Sequence, residues 1–187
     1  MLEKDIDELM EVLNKLKSTE QKFEKIIIEI LRVINGGGTL FFCGNGGSAS
    51  ESQHLATEYI GVLEKSNPRK GIKAITLGND PTYLTAWSND FGFENIFSRQ
   101  LETLASEKDL LFVYTTSGNS KNCVNVLKRA SELNIPTICF TGRDGGLAKS
   151  MASITILVPS EKTARIQEVH LMLGHAICAE IEERLKV

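Results

Sequence analysis

The sequence is poor in cysteine, has no clustered cationic residues and contains no long apolar run. Its four cysteines are scattered and form no Cys-x-x-Cys pair; they are Cys43, Cys123, Cys139 and Cys178. This spacing excludes a zinc knuckle and a disulfide framework, and it predicts free thiols in a reducing compartment. No apolar stretch approaches the roughly 18 residues of a membrane span, and the acidic N-terminus is unlike a signal peptide. We therefore expect a cytoplasmic protein with no membrane partner.

The charge of the chain is mild. Its 187 residues include 21 lysines and arginines against 24 acidic residues, for a formal net charge of -3. Nucleic-acid binders hold phosphate backbones with clustered lysine and arginine, so this composition argues against a nucleic-acid partner. Because 42% of the residues are hydrophobic, the chain can build one globular core, and we expect a single domain over residues 1–187.

Residues 1–35 have the apolar periodicity of two helices. Ser18 and Gln21 form a possible capping box at the start of the second helix. The run Gly36-Gly37-Gly38 is suited to end that helix. Both helices are too apolar on one side to stand alone, so we expect them to pack on the rest of the chain or on another subunit.

Residues 36–187 alternate short apolar runs with longer amphipathic stretches. This pattern is typical of a parallel sheet with crossover helices. It predicts an α/β fold, a three-layer sandwich in which a five-stranded parallel sheet is flanked by helices. The predicted strands are 39–43, 72–77, 110–114, 136–140 and 153–158, and the predicted helices are 48–63, 81–88, 94–105, 120–133, 145–150 and 163–186.

The loop after the first predicted strand is rich in glycine. Ligands of open parallel sheets bind beyond the carboxyl ends of the strands, and a helix N-terminus offers unpaired N–H groups to their oxygens. We expect substrate contacts from Asn45, Gly46, Gly47 and Ser48. The loop also matches the dinucleotide fingerprint Gly-x-Gly-x-x-Ala. A nucleotide-binding oxidoreductase is disfavoured, however, because the next strand ends at Leu77 and Gly78 without the required acidic residue.

The loop after the third predicted strand carries four hydroxyls and one glycine. The hydroxyl residues are Thr115, Thr116, Ser117 and Ser120. Hydroxyls and the amides of a helix start together can bind a phosphate without lysine or arginine. The alternative is that these residues merely cap a helix. Their density favours phosphate binding.

Two helices carry candidate catalytic or metal-binding side chains. His54 and Glu58 lie four residues apart, one turn along the same helical face, which suits one metal ion or one substrate. On the last helix, Gln167 and His175 are separated by about 80° around the axis and could face one site. His170 lies on the other side of Gln167, and we expect it to have a structural role or to support the residues that contact the ligand.

Several segments of the sequence occur in the order known from one family. They are Cys43–Ala49, His54–Glu58, Asn89–Phe93, Phe97–Arg99, Thr116–Ser120, Thr141–Gly146 and Ala164–His170. On these motifs, over nearly the whole chain, the sequence resembles the sugar isomerase (SIS) domain family and, within it, the phosphoheptose isomerases. These enzymes interconvert sedoheptulose 7-phosphate and D-glycero-D-manno-heptose 7-phosphate through an enediol.

The resemblance implies specific roles for residues of this chain. Proton transfer is expected from Glu58 and His175. A divalent metal, usually zinc, is expected to be held by His54, Glu58, Gln167 and His175. The implied sugar contacts are Asn45, Ser48, Asp90 and Thr116, and the implied phosphate contacts are Ser117, Ser120 and the Thr115–Thr116 region. Family members are homotetramers whose active sites lie between subunits.

The sequence departs from the family at Val62, where an arginine is usual. Lys65, Arg69 or Lys70 could replace that arginine at the substrate. Two alternatives stay open: an isomerase of a related sugar phosphate, and a non-catalytic SIS-domain protein of the type that binds the replication initiator or senses sugar phosphates. The non-catalytic relative lacks the glutamate and histidine that stand here as Glu58 and His175, which favours the enzyme.

Overall fold

A computed structural model describes residues 2–16, 20–66 and 68–186. Its helices are α1 (Leu2–Leu16), α2 (Glu20–Asn35), α3 (Gly47–Ile60), α4 (Pro81–Phe91), α5 (Ile96–Leu104), α6 (Lys121–Glu132) and α7 (Thr163–Arg184). Its strands are β1 (Leu40–Gly44), β2 (Ala74–Thr76), β3 (Leu110–Thr115), β4 (Thr137–Gly142) and β5 (Ile154–Val158). Short 3-10 turns lie at Phe93–Asn95 and Leu147–Ser150.

The five strands form one parallel sheet in the order β2-β1-β3-β4-β5. The central pair, β1 and β3, is in register from Leu40 opposite Leu110 to Gly44 opposite Tyr114. The strand order reverses between β1 and β3, because the chain leaves β1 toward one edge and builds the rest of the sheet toward the other. Ligand-binding crevices of open α/β sheets lie at such switch points. The two polar loops of the sequence follow these two strands.

Helices cover both faces of the sheet, as the three-layer prediction requires. On one face, α2, α3 and α7 bury their apolar residues against Phe42, Phe112 and Phe140. On the other face, α5 and α6 pack against Phe41 and Val113. The buried strands are apolar on both sides, which is the signature of a parallel sheet covered by crossover helices.

The N-terminal helices pack as the sequence predicts, but to different degrees. In α2, Ile26, Ile27 and Ile30 are fully buried against the sheet layer. The helix ends at the glycine run, where Gly36 N donates to Arg32 O and Gly38 N donates to Val33 O. In contrast, α1 packs on α7 through Val12 and Leu16 and leaves an exposed apolar stripe at Leu2, Ile6 and Met10. Ser18 of the expected capping box lies outside the described residues.

One predicted helix is wrong and several helix bounds move. Residues 145–150 form only a 3-10 turn, Leu147–Ser150, because Gly145 and Gly146 both adopt positive φ angles that a continuous helix cannot include. Helix α3 ends at residue 60 rather than 63, and β2 begins at 74 rather than 72. None of the helices in the described part of the chain is long and apolar enough to cross a membrane.

Candidate active site

Three ligand-type side chains meet between α3 and α7. The Nε2 atoms of His54 and His175 are 2.7 Å apart, although the two residues are 121 positions apart in the chain. The Oε1 atom of Glu58 lies 3.3 Å from Nε2 of His54. The ligand atoms of His54, Glu58 and His175 all lie within 4.8 Å of one another. The packing of α3 on α7 therefore creates a cluster that neither helix has alone.

The cluster differs in exposure from an ordinary surface triad. The His54 side chain is 47% exposed, whereas that of Glu58 is only 18% exposed. The carboxylate is therefore the more buried of these two groups, and the His54 imidazole is open to solvent.

The donor set fits a divalent metal ion. Two imidazoles and one carboxylate form a known ligand set of catalytic zinc sites, in which a fourth position stays open for water or substrate. The 2.7 Å separation of the two imidazole nitrogens is somewhat shorter than the about 3.3 Å expected between two ligands of a tetrahedral zinc ion with Zn–N bonds near 2.05 Å. The ligand atoms of all three residues lie close enough together to contact one ion.

Gln167 connects α7 to the first loop. A Cβ atom on Gly47 would lie 2.3 Å from Nε2 of Gln167, so the amide packs directly over this glycine. Any larger residue at position 47 would displace Gln167. The expected ligand Gln167 therefore lies at the N-terminus of α3, next to the predicted substrate loop.

The two polar loops are joined by a reciprocal amide pair. Asn45 Nδ2 donates to Asn122 Oδ1 at 2.8 Å, and Asn122 Nδ2 donates to Asn45 Oδ1 at 2.8 Å. Asn122 is buried in the first turn of α6. Asn122 was not a predicted site residue. The topology of β1 and β3 places their loops side by side, but no feature of the sequence identifies which side chain is the hydrogen-bond partner of Asn45.

The side chain at the N-cap position of α6, in the hydroxyl-rich loop, does not cap the helix. Ser120 is the N-cap residue, yet its hydroxyl makes no capping hydrogen bond. The Ser117 hydroxyl instead accepts from the Asn119 N–H at 3.2 Å. The Thr115 hydroxyl is buried and has no hydrogen-bond partner. The simple capping interpretation is thus not observed for Ser120, and of the first-turn amides the Cys123 N–H donates to Asn122 Oδ1 at 3.0 Å.

Asp90 lies apart from the α3–α7 cluster on a different element. It is exposed near the end of α4, where its Oδ1 atom accepts from Asn89 Nδ2 at 2.8 Å. Helix α4 packs on the core through partly buried Tyr83, Leu84 and Trp87, and Asp90 lies on its exposed side. The structure brings together His54, Glu58 and His175, but it does not bring Asp90 into hydrogen-bond contact with them.

Arg69 is not available to replace the missing arginine at position 62. Its side chain is 8% exposed and pairs with Glu182. It also donates to the backbone carbonyls of Glu58 and Tyr59 at 2.8 and 2.9 Å. Lys65 and Lys70 remain exposed. Of the three candidates to replace the family arginine, these two lysines are the exposed ones.

A buried polar pair lies on the inner side of the same two helices. His170 is fully buried, and its Nδ1 atom lies 3.6 Å from Glu51 Oε2. Its ring packs edge-on against Tyr114 and Phe140. Both carboxylate oxygens of Glu51 are buried without a hydrogen-bond partner. These contacts agree with the structural role expected for His170.

The cysteines do not supply a nucleophile. All four are free and buried. Burial raises the pKa of Cys123, Cys139 and Cys178 to about 12, and it also raises the pKa of Cys43 well above its usual value. Because the thiolate is the reactive form, these side chains stay protonated and unreactive at neutral pH.

Known proteins resemble the chain in both sequence and structure. The SIS domain family matches residues 5–142. The chain is 42% identical over 177 residues to the phosphoheptose isomerase of Aliarcobacter butzleri, which covers 95% of this chain and 91% of that protein. The solved structure of the phosphoheptose isomerase from Neisseria gonorrhoeae has a TM-score of 0.90 at 33% identity over 97% of each chain. The corresponding structure from Francisella tularensis has a TM-score of 0.91 at 29% identity, over 97% of this chain and 96% of that chain.

Proposed function

The chain is an isomerase that belongs to the SIS-domain family and, within it, to the phosphoheptose isomerases, and we propose that Glu58 and His175 carry out its proton transfers. The reaction interconverts sedoheptulose 7-phosphate and D-glycero-D-manno-heptose 7-phosphate and feeds activated-heptose biosynthesis. The observation that carries the residue assignment is the convergence of Glu58, His175 and His54 within 4.8 Å. Neither Glu58 nor His175 alone would indicate a proton-transfer site.

The chemistry needs one group for the carbon-bound proton and one for the oxygen-bound proton. Glu58 removes the proton from one of the two reacting carbons and returns it to the other, so that an enediol lies between ketose and aldose. His175 moves a proton between the two oxygens on those carbons. Both groups must come within about 2.6–3.2 Å of the atoms that they serve. Their positions on facing helices allow them to act on the same two-carbon unit.

The phosphate end of the substrate binds away from the reacting carbons. We assign it to Thr115, Thr116, Ser117 and Ser120 together with the first amides of α6. The Ser120 hydroxyl at the start of α6, which makes no capping hydrogen bond, supports this assignment, because hydroxyls and helix-start amides together bind anions. The sugar hydroxyls are assigned to Asn45, Ser48, Asp90 and the backbone of Gly46 and Gly47. Binding at the distant phosphate orients the reacting carbons over Glu58 and His175.

We assign a divalent ion, zinc, to His54, Glu58 and His175, with Gln167 as a further ligand. When bound, the ion would polarise the substrate carbonyl as a Lewis acid. Elemental analysis of the purified protein should find about one zinc per chain. Isomerase activity should fall after chelation and return when zinc is added. Full activity in metal-free protein would contradict this assignment.

The chemical role of Glu58 is tested by Glu58→Gln, which keeps the shape of the side chain and removes its basicity. We expect the rate of sedoheptulose 7-phosphate isomerisation to fall by about 10²–10⁴-fold, the contribution typical of a general base. Thermal stabilisation by sedoheptulose 7-phosphate should persist, since the phosphate and sugar contacts are intact.

The matched control is Glu180→Gln, five residues after His175 on α7, whose carboxylate pairs with Arg184. This variant should keep the wild-type rate. A fully active Glu58→Gln enzyme would exclude Glu58 as the base. Loss of both rate and ligand stabilisation in Glu58→Gln would assign Glu58 to binding instead of proton transfer.

We also propose the cellular context and assembly of the protein. Residues 1–187 form one SIS domain, with helices in 1–35 and the α/β core in 36–187. The protein acts in the cytoplasm on a small sugar phosphate, as a homotetramer with active sites between subunits. The exposed Phe91, next to Asp90 at the end of α4, supports a site that another subunit completes.

A further inference from the structure

Arg69 is tied to the backbone of the helix that carries Glu58. Its Nη2 atom donates to the Glu58 carbonyl at 2.8 Å, and its Nη1 atom donates to the Tyr59 carbonyl at 2.9 Å. These carbonyls belong to the last turn of α3, where helical partners are lacking. Arginine presents its donors in a rigid planar fork, so one side chain holds two successive peptide groups. One of these two peptide groups is that of Glu58 itself.

Glu182 fixes the other side of the guanidinium. The Glu182 side chain is 2% exposed, and its Oε1 atom accepts from Arg69 Nε at 3.0 Å. The same carboxylate accepts the backbone N–H groups of Leu63 at 2.9 Å and Glu64 at 3.0 Å. The Glu182 carboxylate of α7 thus binds Arg69, which holds the end of α3, and the segment that follows α3.

Glu182 lies on the same face of α7 as His175. Seven residues separate them, which corresponds to two helical turns and a rotation of only about 20°. The ion pair and the His54–Glu58–His175 cluster therefore both bridge α3 and α7 along one line. We propose that Arg69 and Glu182 are positioning residues. By clamping the end of α3 to α7, they set the position of Glu58 relative to His175 along the helix axis.

The inference rests on the proposed function, because it concerns the relative placement of the two proton-transfer groups. A purely structural clamp would change stability and leave the chemistry of the folded enzyme unchanged. A positioning clamp would also lower kcat, since the reacting groups would no longer meet in the required geometry. The kcat of folded variants separates the two roles.

Arg184 provides a matched control on the same helix. It also makes three side-chain hydrogen bonds, to both carboxylate oxygens of Glu24 on α2 and to Glu180. None of these bonds reaches α3. Arg184→Met therefore removes an ion-paired arginine near Glu182 on α7 and leaves the α3–α7 clamp intact.

The experiment compares Arg69→Met, Arg69→Lys and Arg184→Met by steady-state kinetics with sedoheptulose 7-phosphate, at a temperature where circular dichroism shows each variant folded. We expect Arg69→Met to lower kcat by about 10–100-fold, the scale of a misplacement near 1 Å, with KM changed by less than about threefold. Arg69→Lys should retain part of kcat, because lysine keeps the charge opposite Glu182 but cannot hold both carbonyls. Arg184→Met should keep the wild-type kcat.

A kcat for folded Arg69→Met equal to that of Arg184→Met would overturn the inference. If Arg69→Met does not fold, the same comparison is made with Arg69→Lys and Glu182→Gln. If the wild-type protein does not isomerise sedoheptulose 7-phosphate, the proposed function fails instead. Hydrogen exchange of residues 55–61 then decides: faster exchange in Arg69→Lys than in Arg184→Met supports the clamp, and equal exchange contradicts it.

Discussion

Asn45 and Asn122 show that single side chains set the geometry between the two substrate loops. Each amide is both donor and acceptor to the other at 2.8 Å. A pair of this kind leaves no freedom for either amide to flip, because both bonds depend on the same orientation. Asn45 is therefore held in the position from which it is proposed to contact the sugar.

Asn122→Ala should weaken substrate binding more than it weakens catalysis. The change leaves the Asn45 amide without its partner, and we expect KM to rise by about tenfold, which corresponds to about 1.4 kcal/mol of binding. The free energy of unfolding should fall by about 1–3 kcal/mol, the cost of an unpaired buried polar group. Steady-state kinetics and urea unfolding measure the two effects.

Asn125→Ala is the control for this variant. Asn125 lies one turn later on α6, and its amide donates to Glu94 O and Asn95 Oδ1 rather than to the first loop. It should lose a similar amount of stability without the change in KM. An equal rise in KM for both variants would show that the amide pair has no special role.

At the scale of residues, the sequence identifies candidates but not their partners. The spacing of His54 and Glu58 predicts a shared face because it depends on one helix only. The approach of His175 to that face depends on how α7 packs on α3, which no local spacing encodes. Arg69 was one of three candidates to replace the family arginine, and the structure instead pairs it with Glu182. When a charged residue lies near a site motif, the sequence does not show whether its charged group faces solvent or the end of a helix.

At the scale of elements, the apolar runs predict the five strands well because each strand is buried on both faces. The ends of helices and strands are harder to predict from the sequence. Residues 145–150 have helical periodicity, yet consecutive glycines with positive φ limit them to a short turn. The start of β2 depends on pairing with β1 through Ala74 and Leu40. This pairing is a tertiary contact that the sequence around residue 72 does not contain.

At the scale of the whole molecule, the exposed apolar stripe of α1 predicts association between subunits. Leu2, Ile6 and Met10 are 73%, 49% and 55% exposed and recur every four residues. Continuous apolar surface of this kind is a mark of protein–protein contact. We expect light scattering of the purified protein to give a mass about four times 20.6 kDa.

The double variant Ile6→Lys with Met10→Lys should reduce that mass, because charges at these positions oppose burial of the stripe. Glu11→Gln is the control, since Glu11 is exposed and pairs with Lys15 on the same helix. A wild-type protein with the mass of one chain would contradict the tetramer. A double variant with the full tetramer mass would exclude the α1 stripe from the interface.

The distance along the chain between His54 and His175 also constrains when the protein becomes active during its synthesis. The sheet strands and α3 are all translated before α7, and a nascent chain that ends before residue 163 contains His54 and Glu58 but lacks His175. Partly made chains can therefore fold around the early strands without any isomerase activity. Activity begins only when the last helix has left the ribosome and docked beside α3.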